Sequence, residues 1–414
     1  MIIIVGGGPG GMMAAISAAS LSGKVTLIEK NLFLGKKLLL TGNGRCNLTN
    51  ICDSEELIGH FSKTGSFLRD AFKMFGNKEL IEFFAKRGLS VKTEEKGRVF
   101  PVTEKASSVL DVLVNELRGL GCKILLGKNV KKVLLEKGAI KGVVCEDGNE
   151  IEAERIVFAT GGVSYRETGS TGEGIKMAGQ IGHKIVPLRP ALVSLNSDTK
   201  GRENLEGVSF DNVKLVFRAG KSKIIPGKGG LVFTKNGISG PGVLSSSSDV
   251  IDWMAEGKKV YAEIDIAPGV SYEEFDRLLS RKLRLFSTKS VKNILKEMAP
   301  VRIVDFFLDT AGICPEKKAN QITSKERTSL VALFKGVRLE VSENVSFERA
   351  QVTRGGVSTK DIDPRTMESR TIKGLYFAGE MMDVDGECGG FNLQAAFSTG
   401  YLAGRSAAGD KKTE

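Results

Sequence analysis

The chain has 414 residues, more than one hydrophobic core usually serves, so two or three domains are expected. Apolar residues make up 41% and charged residues 26%, the balance of a soluble globular protein rather than a disordered or fibrous one. Lys and Arg number 60 against 49 Asp and Glu, a formal charge of +11, yet no basic run or RNP-like aromatic motif accompanies the excess, which weighs against nucleic acid as the main partner. No apolar run of about 18 residues predicts a membrane helix. Met1 leads straight into a strand without a signal peptide's charged stretch and cleavage site, so a cytoplasmic protein that does not engage membranes is expected.

In chain order, Ile2–Val5 reads as an apolar strand, residues 6–11 as a glycine turn, and residues 12–23 as an Ala-rich helix closed by Gly23. A second strand, KVTLIEK, follows at 24–30. Residues 77–89 carry helical spacing, with Asn77 as N-cap, Glu79 soon after and Gly88 at the close. Residues 106–120 form a second amphipathic helix. Short apolar runs with Gly turns over 122–158 predict a small antiparallel meander beside a parallel sheet. Pro187 and Pro190 bracket an exit from this domain. Residues 191–265 read as β-rich and 271–335 as helical, with Tyr272, Phe275, Leu279, Leu283 and Phe286 on one face. That helical segment carries 13 Lys and Arg against 8 Asp and Glu, read as a solvated face. Residues 347–370 read as loops, 374–408 as strand, Gly-rich loop and long helix, and the terminal GDKKTE as a frayed tail.

The strongest local signal is Gly6-Gly7-Gly8-Pro9-Gly10-Gly11, a G-x-G-x-x-G between a strand and a helix. Gly6 permits the tight turn, Gly8 lets backbone approach a pyrophosphate, and Gly11 lets helix and strand pack closely. Pro9 costs no helical hydrogen bond at the first position, and the helix start offers unpaired N–H groups to phosphates. Glu29 closes the second strand 18 residues after Gly11, where an acid accepts from ribose hydroxyls. Together these predict a dinucleotide site.

Six cysteines (46, 52, 122, 145, 314 and 388) show neither CxxC pairs nor zinc-finger spacing, and His60 and His183 are too few for a His-rich metal site. Reduced thiols and no metal are expected. Cys46 and Cys52 are spaced CxxxxxC, one residue longer than the tight CxxxxC loop of a redox-active disulfide, so unpaired thiols are expected. His183 reads as a hydrogen-bonded residue at a domain border rather than a catalytic base.

The other end of the chain decides which dinucleotide. Residues 371–380, a strand ending in Gly379-Glu380, followed by Gly389-Gly390-Phe391-Asn392 and a helix, resemble the second FAD motif of glutathione-reductase-type flavoproteins. The resemblance implies that the Gly-acid pair holds the ribitol and that the helix start faces the flavin pyrimidine. The usual acid there is Asp; here it is Glu380. Val157-Phe158-Ala159-Thr160-Gly161-Gly162 resembles the ATG segment ending a strand near FAD in the same group. Between these ends, the polar loop Thr41-Gly42-Asn43-Gly44-Arg45-Cys46-Asn47 suits backbone donors and one guanidinium aimed at anionic groups.

With the further blocks KGRVFP, ATGGVSYRETGSTGEG, RPALVSL, GISGPGVL and VTRGGVSTKDIDPRTMESR, the chain resembles the BaiN/YhiN-type, aminoacetone-oxidase-like flavoprotein family from residue 2 to about 405. It departs from the pattern in GGGPGG, where the family often has an Ala, and at Arg166-Glu167, where Pro-Lys is more usual. The resemblance implies an α/β fold: a Rossmann-type FAD-binding domain (1–189 and 350–414), an inserted β-rich domain (190–270 and 336–349) and a small helical domain (271–335). The cofactor set so expected is Gly6, Gly8, Gly10, Gly11, Glu29, Lys30 and Lys37; Gly44, Arg45, Cys46 and Asn47; Val130; Ala159, Thr160 and Gly161; and Gly379, Glu380, Gly390, Phe391, Asn392 and Leu393. The expected activity is that of an FAD-dependent oxidoreductase, a reductase of a small enone-like molecule. NAD(P)H would be a transient electron donor, because the mid-chain Gly169-Ser170-Thr171-Gly172-Glu173-Gly174 is no second G-x-G-x-x-G. The alternative is a tRNA-modifying flavoprotein, motivated by the basic helical segment. No general base is assigned.

Overall fold

The computed structural model describes residues 1–61, 64–226, 228–342 and 347–409. The chain divides into two compact units, Met1–Ala191 with Phe347–Glu414, and Leu192–Ser346.

The first unit is built on β1 (Ile2–Val5), α1 (Pro9–Ala19), β2 (Val25–Glu29), α2 (Ala106–Gly119), β3 (Lys123–Leu126), β4 (Arg155–Phe158), α3 (Glu173–Gln180), β5 (Leu375–Phe377) and α4 (Phe391–Ala407). The five strands form one sheet in the order β5-β4-β1-β2-β3, and every pairing is parallel. All residues of β1, β2 and β5 are buried, the apolar, β-branched pattern of a strand covered on both faces. Neighbouring β1 and β4, far apart in sequence, meet in register from Ile2 opposite Arg155 to Val5 opposite Phe158. The C-terminal ends of the strands therefore bring Val5, Glu29, Phe158 and Phe377 to one edge, where α/β folds place ligands. The expected meander is present as Val130–Glu136, Ala139–Cys145 and Glu150–Glu152, paired antiparallel.

Two local expectations differ. The helix over 77–85 takes Gly76 as its N-cap, with the Glu79 carboxylate accepting from Gly76 N at 3.0 Å; Asn77 instead donates from its amide to Asn50 O and Cys52 O, both at 2.7 Å. Residues 352–357, read as loop, form a strand antiparallel to Ile185–Ala191, with Ala191 opposite Val352.

The second unit holds an antiparallel sheet in the order Leu195–Asn196, Gly237–Ser239, Lys228–Thr234, Ser209–Ala219, Tyr261–Asp265, Val337–Glu340, with Ser222–Ile224 on the long central strand. The segments expected as separate β-rich and helical domains share one apolar core here, in which Phe217 and Phe233 belong with Leu279, Phe307 and Phe334. The reading of 191–265 as β-rich missed the helix Pro241–Ala255. Its four serines, 245–248, have modest helix propensity, so Pro241 in the first turn and the burial of Val243, Val250 and Met254 sustain it. Among the described residues, no helix is long and apolar enough to cross a membrane. The tail beyond Gly409 lies outside the described residues.

Candidate cofactor cleft

β1 ends at Val5 and the chain turns at Gly6, whose φ of +106° suits glycine; a Cβ there would lie 2.5 Å from Ala159 O. Gly8 is the N-cap of α1 in extended backbone, and a Cβ on it would meet no atom within 4 Å. That open face is the cleft. A Cβ on Gly11 would stand 1.9 Å from Gly6 O, so Gly11 lies behind the cleft and secures the close helix–turn contact. The first N–H groups of a helix have no acceptor within it, and α1 therefore presents donors and a positive dipole end to an anion.

Glu29 is buried at the end of β2. Its Oε2 accepts from Gly7 N at 2.6 Å, while Oε1 accepts from Asn31 N at 2.8 Å and Asn31 Nδ2 at 2.7 Å. The acid thus holds the glycine turn in shape while lining the cleft beside it.

The cleft encloses about 1440 Å³ including its open mouth. It is an open groove along the C-terminal ends of β1, β2, β4 and β5, the edge where open α/β sheets bind extended dinucleotides. From the expected set it is lined by Gly6, Gly8, Gly10 and Glu29 of the first motif, then by Lys30, Lys37 and Val130. Ala159, Thr160 and Gly161 join them from the end of β4, and Gly379, Glu380, Asn392 and Leu393 from the second motif. Glycine turns, an empty face at Gly8 and an acid at each end fit a dinucleotide such as FAD.

Glu380, expected from the resemblance to hold the ribitol with Gly379, is itself held by three donors of the protein. Its Oε2 pairs with Lys37 Nζ at 2.6 Å, and its Oε1 accepts from Thr353 N at 2.7 Å and Ser164 Oγ at 3.0 Å. Asn392 clamps its own loop, accepting from Gly386 N and donating to Gly386 O, both at 2.8 Å.

Gly44, Arg45, Cys46 and Asn47 do not line the cleft, nor do Gly390 and Phe391. Arg45 pairs with Glu94 at 2.8 Å and lies over the Phe100 ring at 4.2 Å, so its charge is already neutralised. The polar loop acts from behind: a Cβ on Gly390 would lie 2.5 Å from Thr49 O, and Asn50 Nδ2 donates to Gly389 O at 3.3 Å. Thr49 and Asn50 therefore support the glycine start of α4, while residues 44–47 stand outside the lining of the cleft. Phe391 is buried, with the His60 ring stacked on it at 4.0 Å.

Sequence reading also missed a strap. Residues 168–174 run along the cleft, and four hydrogen bonds tie this strap and the adjoining Glu167 to the segment after β2. Lys30 Nζ donates to Thr171 Oγ1 at 2.8 Å and Glu173 Oε2 at 2.9 Å, Asn31 Nδ2 to Thr168 O at 3.0 Å, and Lys36 Nζ to Glu167 O at 2.6 Å. The Lys30 ammonium holds the Glu173 carboxyl below its ordinary range. The density of glycine after Ala159-Thr160-Gly161-Gly162 was the available signal.

All six cysteines are free thiols. Burial pushes the Cys46 thiol up to about 12 and Cys52 to about 11. His183 is buried, with Nε2 2.7 Å from Ser369 Oγ and its ring against Phe377, and burial lowers its pKa. Among the described residues, no group of His, Cys, Asp and Glu could hold a metal.

A family model described as the HI0933-like protein Rossmann domain matches residues 1–406. The chain belongs to this family. Relatives include a 3-dehydro-bile acid delta(4,6)-reductase of Clostridium scindens, 35% identical over 98% of both chains. A ribosomal RNA dihydrouridine synthase of Escherichia coli is 30% identical over 96% of both. Among solved structures, the 3-ketosteroid delta1-dehydrogenase of Sterolibacterium denitrificans superposes with a TM-score of 0.55 over 99% of both chains at 13% identity, a likeness of fold. With its Rossmann sheet and cleft, this family member is an FAD-dependent oxidoreductase.

Proposed function

We propose that the protein reduces a carbon–carbon double bond conjugated to a carbonyl in a small organic substrate. The observation carrying this reading is the near full-length match, at 35% identity, to a protein named as a bile acid reductase. Bound FAD would supply hydride at N5. In this reading Gly6, Gly8 and Gly10 let the backbone approach the pyrophosphate, Glu29 accepts from the adenosine ribose, and Gly379, Asn392 and Leu393 border the flavin end. The substrate takes hydride at the β-carbon and a proton at the α-carbon. NAD(P)H would supply the electron pair transiently, since the mid-chain glycines belong to the strap and not to a second nucleotide fold. A reducing, cytoplasmic compartment suits the free thiols.

The test is anaerobic reduction with NADH or NADPH, then rapid mixing with a 3-oxo-4,6-diene steroid. Reoxidation of the flavin with loss of the dienone absorbance is expected, in ping-pong order. A reduced enzyme that ignores every conjugated carbonyl offered overturns the reading. Gly8→Val is expected to purify without FAD, as its side chain would occupy the open face of the cleft.

A second reading, action on an RNA uridine, is favoured by one feature. Arg277, Arg281 and Arg284 of the helix Tyr272–Leu285 border a shallow hollow with Arg327 and form no ion pair among the described residues. RNA binding that weakens steeply with salt, and is lost on changing these three to Gln, would support it.

A further inference from the structure

The Lys37–Glu380 pair lies within the cleft and joins the segment after β2 to the segment after β5. Lys37 Nζ lies 2.6 Å from Glu380 Oε2 and donates to Ser164 Oγ at 2.8 Å. An ammonium has three N–H donors. Two are thus engaged within the protein, and the third remains on a side chain that lines the cleft. Glu380 is committed on both oxygens, to Lys37 on one side and to Thr353 N and Ser164 Oγ on the other. Ser164 is fully buried, and the two charged side chains are each about one-fifth exposed (20% and 21%), so solvent screens the pair only partly.

The pair also sits at a defined end of the cleft. Glu29 ends β2 and Glu380 follows β5, and these strands are three places apart in the order β5-β4-β1-β2. At about 4.8 Å per strand the two acids are separated by roughly 14 Å along the sheet edge. If Glu29 marks the adenosine ribose, Lys37 stands toward the flavin.

A hydride carries two electrons and one proton, so each reduction of bound FAD adds one negative charge in the cleft. A fixed ammonium nearby favours the charged product. We infer that Lys37 is the cation that stabilises the reduced cofactor, and that Glu380 sets the strength of that field by holding and partly neutralising it. Glu380 is on this view a positioning residue, and the pair tunes the potential at which the enzyme accepts electrons. The inference rests on FAD as the cofactor.

The test is the midpoint potential of the bound flavin, measured by equilibrium reduction against a reference dye at constant pH. Stoichiometric FAD and a measurable potential in the wild-type protein establish the cofactor reading independently of any variant. Lys37→Met is expected to shift the potential negative and Glu380→Gln to shift it positive, whereas Lys37→Arg stays near wild type. Loss of a purely structural contact would move both single variants the same way, or neither, and either result overturns the proposal. The double variant Lys37→Met/Glu380→Gln removes both charges and leaves no unpaired one behind; it is expected between the singles. A double variant that matches Lys37→Met overturns the role of Glu380. Failure of all four variants to retain FAD also overturns the proposal, in favour of a binding role alone.

Discussion

The most exposing perturbation is one methyl group at Gly400. This residue lies in α4, where a Cβ would stand 2.2 Å from Gly10 O in α1; one turn later, a Cβ on Gly404 would stand 2.2 Å from Ala14 O. Backbone oxygens cannot rotate aside as side chains do, so Gly400→Ala must push the two helices apart by about 1 Å to reach normal contact. Overpacking costs roughly 1–3 kcal/mol, and a clash with backbone that cannot move aside belongs in the upper part of that range, roughly 2–3 kcal/mol. Alanine returns about 1 kcal/mol through helix propensity. The net expectation is a loss of about 1–2 kcal/mol, which in a unit of this size lowers Tm by roughly 2–8 °C. Gly10 lines the cleft, so FAD retention should fall with stability. Gly119 ends α2 with open space around its Cβ position, and Gly119→Ala should leave both quantities unchanged or slightly improved. Thermal melts followed by flavin fluorescence compare the three proteins. A Gly400→Ala protein that melts at the wild-type temperature with full FAD refutes the close-packing argument.

Four further outcomes are expected. Glu29→Ala should cost roughly 1–3 kcal/mol, because Gly7 N is left without its acceptor, and should weaken FAD binding; Glu29→Gln, which keeps an oxygen acceptor, should fall between, as melts and gel filtration would show. Lys30→Met should speed FAD release by no more than about fivefold, since Lys30 and Glu173 are 26% and 51% exposed and such pairs are worth about 0–1 kcal/mol, and added salt should erase the difference. His183 is buried with a lowered pKa, so the folded state binds fewer protons there than the unfolded chain. Its contribution to stability is therefore intact above about pH 6.5 and declines as pH falls below the unfolded value, and His183→Gln should flatten that acid limb of the denaturation profile. Thiol reagents at pH 8 should modify exposed Cys314 and spare Cys46, whose buried thiol titrates at about 12; rapid labelling of Cys46 in the folded protein would contradict the fold of that loop.

The parts of the fold legible in sequence are those where one residue has one local task. Gly6, Gly8 and Gly11 stand where turn, open approach and close packing require them, because each constraint is set within a few residues of chain. The parallel strands could likewise be read from short β-branched runs. What escaped was set by partners distant in sequence. Arg45 reads as a phosphate ligand until Glu94, 49 residues away, is seen to neutralise it. The surroundings of the acid Glu380 were equally hidden, because Lys37, Ser164 and Thr353, which donate to its oxygens, are distant from it in sequence. The helix Pro241–Ala255 escaped for the same reason, as its serines are tolerated only because the flanking apolar residues are buried.

A cleft assembled from residues 6–37 and 379–399 requires the chain to leave the first unit and return without weakening it. The antiparallel ribbon of Ile185–Ala191 and Val352–Val357 meets this need. Its register places Ala191 opposite Val352, at the points where the chain departs for and comes back from Leu192–Ser346. Closing a loop costs entropy that grows only with the logarithm of its length, about 0.6 kcal/mol per doubling, so even a long excursion is tolerable once its root is fixed. With the root zipped, β5 can enter the sheet beside β4, and α4 can pack along α1 as if the two motifs were neighbours in sequence. The close approach of Gly400 to Gly10 is then the final step of one continuous packing problem, and that is why cofactor signals at opposite ends of the chain describe a single site.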